Sequence, residues 1–149
     1  MNRRAGRLGF SLIEAVMVLL IVATVVGALT PSVIRQIAHA RVNRAANVIA
    51  ADFYLAQSLA GRQHSPVMMT FDTTGKLTTI TQPPPANTNL LTRRFDINSE
   101  FKLTTYTASS SPVQILANGM ASTAVTLTVG SGGYTRQVRM TRAGQIRVL

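Results

Sequence analysis

Residues 10–30 read FSLIEAVMVLLIVATVVGALT, a segment of 21 residues in which Glu14 alone is charged. That length is about the ~20 residues that a helix needs to cross the hydrocarbon core of a bilayer. Three arginines and no acid precede the segment, at positions 3, 4 and 7. Because cytoplasmic flanks carry an excess of basic residues, the sequence predicts a membrane helix whose amino end stays in the cytoplasm.

Two ordinary interpretations compete for this segment. A cleaved secretory signal has a basic start, a shorter apolar core and small residues before the cut, which Val26, Gly27 and Ala28 supply. A plain membrane anchor has the same length and the same basic flank. Neither interpretation has a use for the carboxylate of Glu14, which is costly in lipid and therefore indicates a function of its own.

The apolar pattern continues beyond Pro31 with helical spacing. Apolar residues recur at steps of three and four from Ile34 to Leu59, with polar residues on the opposite face, as in an amphipathic helix. Both segments together predict one helix of about 52 residues, roughly 78 Å long, that ends before Gly61. Proline lacks the N–H that a helical ladder needs, so Pro31, with Gly27, is the expected point of kinking or local melting.

The rest of the chain has the composition of strands. Residues 63–149 hold 16 of the 18 threonines, whereas residues 1–62 hold 12 of the 18 alanines. We expect an α+β fold, in which the long amino-terminal helix packs its apolar stripe on a carboxyl-terminal antiparallel β-sheet. Alternation and turn residues predict strands at residues 66–71, 76–81, 90–97, 101–107, 113–117, 124–129, 134–141 and 145–149.

Charge and composition restrict the function. The net charge is +10, with 15 Lys+Arg against 5 Asp+Glu, which favours anionic partners without specifying one. The absence of cysteine excludes disulfides and cysteine-based zinc sites. The acids form no motif-spaced pair, and His39 and His64 lie 25 residues apart on different predicted elements. We therefore expect no catalytic residues, no metal and no cofactor, and we interpret the chain as a protein that is not an enzyme.

The residues from Gly9 to Glu14, after a short basic leader, resemble the processing signal of type IV prepilins and of type II secretion pseudopilins. This resemblance implies that a prepilin peptidase cleaves between Gly9 and Phe10 and methylates Phe10. It also implies that Glu14 guides filament assembly and that Pro31 is a helix-melting proline. The implied organisation is a leader at 1–9, a transmembrane and filament-core helix at 10–30, an amphipathic helix at 31–62 and a periplasmic β-rich domain at 63–149.

The carboxyl half of the chain resembles one group of these subunits in particular. Residues 113–119, 124–129 and 139–148 are similar to the closing strands of the GspH/FimT group of minor pseudopilins and minor pilins. No acid follows Glu100, which favours a minor subunit over the major pseudopilin. The implied function is that of a minor pseudopilin of a type II secretion system, which joins other pseudopilins in a periplasmic filament for protein export. The implied location is the bacterial inner membrane, as a single-pass protein with a periplasmic carboxyl-terminal domain, and then a periplasmic or surface filament.

A second interpretation assigns a partner to the basic carboxyl-terminal strands. Some members of the FimT-like branch are minor type IV pilins that bind DNA for uptake, and Arg136, Arg139, Arg142 and Arg147 form the corresponding patch here. The simpler interpretation is that these arginines provide solubility and protect a sheet edge. Arg136 and Arg139 have opposite parity along their strand, so we expect them on opposite faces. A single-face patch then needs Arg142 and Arg147 together with one of that pair.

Overall fold

The structure is a computed structural model that describes residues 11–149. The predicted leader and the predicted cut between Gly9 and Phe10 lie outside these residues. Two units make up the chain, one that ends at Gln36 and one that spans Ile37–Leu149.

The predicted long helix is confirmed. Helix α1 spans Leu12–Gln63, a length of 52 residues, and it is continuous through Pro31. It ends three residues later than predicted, and Gly61, the expected terminator, lies inside the helix. The terminating residue is His64, which adopts a positive φ of 49°. The amide of Ser65 donates to the carbonyl of Ala60, and that of His64 donates to the carbonyl of Gly61, which together form a Schellman cap.

The part of α1 in the first unit is apolar and exposed. Its large apolar side chains between Leu12 and Leu29 keep at least half of their surface accessible. By length and composition, α1 is able to cross a membrane. An exposed apolar surface of this extent indicates that lipid or other protein covers it.

The second unit contains two four-stranded antiparallel sheets rather than the one sheet predicted. The first sheet has the order β3-β2-β1-β5, and the second has the order β4-β6-β7-β8. The strands are β1 (Val67–Asp72), β2 (Leu77–Thr81), β3 (Asn89–Arg94), β4 (Thr105–Ala108), β5 (Val113–Ile115), β6 (Val125–Ser131), β7 (Tyr134–Met140) and β8 (Ile146–Val148).

The division into two sheets arises between β3 and β4. The predicted strands at 90–97 and 101–107 are shorter in the structure, because the connection between them folds over the core. Phe95 and Phe101 are both buried there, with ring centroids 4.9 Å apart. The chain then joins the second sheet, where the amide of Thr104 donates to the carbonyl of Gly130 at 2.9 Å.

The turn predicted at residues 130–133 is also tighter than expected. Strand β6 continues to Ser131, and Gly132 and Gly133 alone form the turn, with φ values of 61° and 82°. Two consecutive positive φ values are those of the type I′ turn that joins twisted antiparallel strands. This two-residue turn sets the register of the β6–β7 hairpin.

The apolar stripe of α1 forms the centre of the core in the second unit. Val42, Ile49 and Phe53 of α1 are fully buried, as the helical spacing predicts. The predicted stripe starts too early, because Ile34 and Ile37 are 62% and 44% exposed. One flank of the helix is tied to the first sheet through Asp52 and Arg93, and the other flank is tied to the second sheet through Asn43 and Gln57. The largest fully buried side chains are Phe53, Phe95, Ile49, Met69, Ile80, Leu103, Ile115, Leu127 and Met140.

Candidate functional site on the carboxyl-terminal strands

Glu14 lies in the first turn of α1, where its side chain is exposed. A carboxylate is favourable near a helix amino terminus, since the unpaired backbone N–H groups there carry partial positive charge. The surrounding apolar side chains, among them Ile13, Met17 and Val18, are exposed as well. Glu14 therefore occupies an accessible polar point on an otherwise apolar helix surface.

The helix around Pro31 has weakened backbone hydrogen bonding. Pro31 has no N–H to donate to the carbonyl of Gly27, four residues earlier. The hydroxyl of Thr30 donates to the carbonyl of Val26 at 2.7 Å, a side-chain contact that often bends helices. The kink or melting at Pro31 stays a prediction, and these contacts explain why this position is suited to it.

The side chain of Arg136 is hydrogen-bonded to α1. Its Nε donates to Oδ1 of Asn43 on α1 at 2.9 Å, and the hydroxyl of Tyr134 donates to the same oxygen at 3.3 Å. The ring of His39 stacks on Tyr134, with centroids 4.0 Å apart. These contacts hold β7 against α1, so the guanidinium of Arg136 has a structural partner.

Arg139 and Arg147 form a pair on the opposite face of the second sheet. They are directly opposed in the register of β7 and β8, and both are exposed. Val138 and Met140, the neighbours of Arg139 along β7, are fully buried on the inner face, as is expected from alternation. The prediction that Arg136 and Arg139 point to opposite faces is thereby confirmed.

The arginine pair lines a shallow cleft of about 340 Å³. The other lining residues are Thr141, Gln145 and Leu149. Arg142 is exposed on the turn between β7 and β8 but does not line this cleft. Two guanidinium groups, a hydroxyl and an amide supply many hydrogen-bond donors, so the cleft is suited to an anionic oxygen ligand such as a phosphate or a carboxylate.

Gln57 of α1 positions the turn between β7 and β8. Its Nε2 donates to the carbonyls of both Gly119 and Gly144, at 2.9 and 2.8 Å. Gly144 has a φ of 84°, and a Cβ atom there would clash with the carbonyl oxygen of Gly119. Sequence reasoning missed Gln57, although a polar residue between the stripe residues Phe53 and Leu59 was a usable indication.

Asp52 is a second residue that sequence reasoning left without a role. Its carboxylate is 2% exposed and accepts two hydrogen bonds from Arg93, from Nε at 2.9 Å and from the terminal nitrogen at 3.1 Å. Burial raises the pKa of Asp52 above its usual value, and Arg93 counteracts part of that effect. The pair joins α1 to β3.

The histidines and acids of the described residues are spread over separate places in the fold. Within residues 11–149 no group of three potential metal ligands is brought together. His39 stacks on Tyr134, and His64 ends α1, so both histidines have structural roles. Burial raises the pKa of Tyr106, whose hydroxyl is 2.6 Å from that of Thr78 between the two sheets.

Comparison with known proteins gives one family. The profile of the family described as Type II transport protein GspH matches residues 45–144, which is more than half of the chain. This segment runs from the amphipathic part of α1 to the turn between β7 and β8. No curated protein sequence matches the chain.

Solved structures of two proteins are similar to this fold. The type IV minor pilin FimU of Pseudomonas aeruginosa has a TM-score of 0.62 at 19% identity and covers 74% of this chain and 90% of its own. The minor pseudopilin EpsH from the Type 2 Secretion System of Vibrio cholerae has a TM-score of 0.56 at 14% identity and covers 73% of this chain and 96% of its own. The family match and the shared fold show that this chain belongs to the GspH family, with a type IV pilin-like fold and a minor pilin-like role.

Proposed function

We propose that the chain is a minor pseudopilin of a type II secretion system, anchored in the bacterial inner membrane before it joins a periplasmic filament. The observation that supports this proposal most strongly is the two-part character of α1. From Leu12 to Leu29 its large apolar side chains are exposed, whereas from Val42 to Ala60 its buried apolar residues belong to the core of a folded unit. One helix thus supplies a surface for lipid or partner helices and a scaffold for the domain.

The proposal includes topology and processing. The basic leader at residues 1–9 remains cytoplasmic, residues 10–30 cross the membrane and residues 63–149 lie in the periplasm, with residues 31–62 between them. A prepilin peptidase removes the leader after Gly9 and methylates Phe10. The support for these steps is the resemblance at Gly9–Glu14 together with the exposed apolar part of α1.

Glu14 is proposed to drive assembly. In lipid its carboxylate lacks a partner, which is costly, whereas in a filament it meets the positive amino group of Phe10 on a neighbouring subunit. A paired charge in an apolar medium is far less unfavourable than an unpaired one, so the free energy favours the filament over the membrane pool.

We expect that Glu14→Val is inserted and processed but joins the filament poorly. The measurement is co-purification of the variant with its filament partners after solubilisation in a mild detergent. Losing the pair costs roughly 3 kcal/mol or more, so the association constant for the assembly should fall by about a hundredfold or more. Thr24→Val is the matched control, because the Thr24 hydroxyl donates to the carbonyl of Ile21 within its own helix. Recovery of Glu14→Val equal to that of the control contradicts the pairing role.

A second candidate function is supported by the arginine pair. Arg139 and Arg147 are exposed side by side with donors from Thr141 and Gln145, as a phosphate-binding surface requires. FimU, a type IV minor pilin, shares the fold as EpsH does. The second candidate is therefore a minor type IV pilin that binds DNA for uptake.

We expect DNA binding of this kind to be independent of sequence and sensitive to salt. Each phosphate that an arginine neutralises on duplex DNA contributes about 0.9 to the log–log salt slope. The measurement is a DNA titration at two salt concentrations with the wild type and with Arg139→Gln plus Arg147→Gln, which should bind more weakly and with a shallower slope. Arg94→Gln is the matched control, since Arg94 is exposed on β3 of the first sheet and lies outside the cleft. Equal binding by the double variant, or none by the wild type at low salt, rejects this candidate.

A further inference from the structure

Strand β8 is the outermost strand of the second sheet, and its free edge is defined by the register. Gln137 and Leu149 exchange two hydrogen bonds, from the Gln137 amide to the Leu149 carbonyl at 3.1 Å and from the Leu149 amide to the Gln137 carbonyl at 2.8 Å. Hydrogen-bonded pairs alternate with non-bonded pairs in an antiparallel ladder. The next bonded pair is therefore Arg139 with Arg147, two residues along.

This alternation leaves two residues of β8 facing away from β7. Ile146 and Val148 are the non-bonded positions, so their N–H and C=O groups point outward from the sheet. Within residues 11–149 no strand pairs with β8 on that side. Such a row of backbone donors and acceptors is a template for an additional strand.

The charge next to this edge limits which strand fits. Arg139 and Arg147 are like charges in direct opposition, an arrangement that is destabilising without an anion. The ion pairs formed within residues 11–149 join Arg44 to Glu100 and Arg93 to Asp52, so neither arginine of the cleft takes part in one. A second copy of β8 would bring a further arginine to the same place, which disfavours self-association.

We propose that the β8 edge and the arginine pair together bind an extended acidic segment of a different filament subunit. Main-chain groups of that segment bond to Ile146 and Val148, and carboxylates at alternating positions share one face, where they meet Arg147 and Arg139. This inference rests on the proposed function, because it assumes that the chain assembles with other subunits. It adds the surface used and the chemistry of the partner.

The test uses the full chain in detergent micelles and a short fluorescent peptide that alternates glutamate and valine. The same peptide with glutamine in place of glutamate is the neutral control. We expect the acidic peptide alone to raise the fluorescence anisotropy on titration. Arg147→Gln should weaken binding by roughly tenfold or more, as for the removal of a charge-assisted hydrogen bond. Arg94→Gln should bind like the wild type, since that arginine is exposed on β3 of the first sheet and lies outside the cleft.

Strand addition has its own variant. Val148→Pro removes an N–H that points away from β7, a position at which proline is compatible with an edge strand. We expect this variant to keep its circular dichroism spectrum and to lose peptide binding. If it fails to fold, amide exchange in the wild type provides the same test. The amides of Ile146 and Val148 should then exchange more slowly when the acidic peptide is present.

Three results would overturn the proposal. One is equal binding of the acidic and neutral peptides, and another is unchanged exchange at Ile146 and Val148. The third is tight binding of a labelled single-stranded DNA to a protein that does not bind the peptide. In that case Arg147→Gln abolishes DNA binding, and folded Val148→Pro still binds DNA. That result assigns the cleft to nucleic acid. The titration depends on neither leader processing nor Glu14, so its failure leaves the proposed membrane-anchored subunit untouched.

Discussion

Replacing Gly9 with valine should leave the leader on essentially every chain. In the proposed processing, the peptidase cuts directly after Gly9, as the resemblance at Gly9–Glu14 implies. A peptidase that cleaves there must bring the backbone close to its catalytic groups, and glycine, which has no Cβ, permits that approach. Valine adds a branched side chain at this point, so we expect cleavage to stop rather than slow. The unprocessed amino terminus also keeps Glu14 from any pairing with the amino group of Phe10.

Intact-protein mass spectrometry of membrane fractions measures this directly. The wild type should begin at N-methylated Phe10, and Gly9→Val should retain Met1 and the three arginines of the leader. Gly6→Val is the matched control, because it makes the same substitution within the leader but away from the cut. A wild-type chain that begins at Leu29 would instead show an ordinary secretory signal, and normal processing of Gly9→Val would show that the cut lies elsewhere.

The largest stability effect should come from Arg93→Ala. This variant leaves the Asp52 carboxylate buried at 2% exposure with neither of its hydrogen bonds. Breaking a buried pair from one side costs about 3–5 kcal/mol, because an uncompensated charge remains. Asp52→Ala should cost less, since the Arg93 side chain is 34% exposed and its charge reaches water. We therefore predict that Arg93→Ala lowers the free energy of unfolding more than Asp52→Ala does.

The pH dependence provides a second test of the same pair. The pKa of Asp52 is already raised by burial, and removing Arg93 takes away the two effects that lower it. A buried acid with a raised pKa binds its proton better in the folded state, so its contribution to stability falls as pH rises above about 3.8, the ordinary value. The deficit of Arg93→Ala should consequently be small in acid and grow towards neutral pH.

Urea unfolding of a fragment from residue 37 onward measures both effects at pH 4 and pH 7. The buried core lies entirely between Val42 and Met140, so this fragment contains all of it. Arg94→Ala is the matched control, because Arg94 is the exposed neighbour on the other face of β3. If Arg93→Ala is no less stable than this control, the pair does not stabilise the fold. If Asp52→Ala is the less stable of the two, the carboxylate has another role.

The features that the sequence alone predicted correctly are local ones. The long helix α1 and the buried part of its apolar stripe from Val42 onward followed from periodicity, which depends only on nearby residues. The alternation that separates Arg136 from Arg139 was likewise local, and the burial of Val138 and Met140 confirms it. The resemblance at Gly9–Glu14 is also a property of consecutive residues.

The remaining features depend on residues far apart in the chain. A strand pattern does not identify its neighbour, so the two sheets, with β4 beside β6, were outside the reach of periodicity. The contact of Asp52 with Arg93 spans 41 positions, and that of Gln57 with Gly144 spans 87. The pairing of Arg139 with Arg147 likewise required the register of β7 and β8. Side-chain chemistry was visible in the sequence, but which groups meet was decided by packing, because burial and register are set by the whole core.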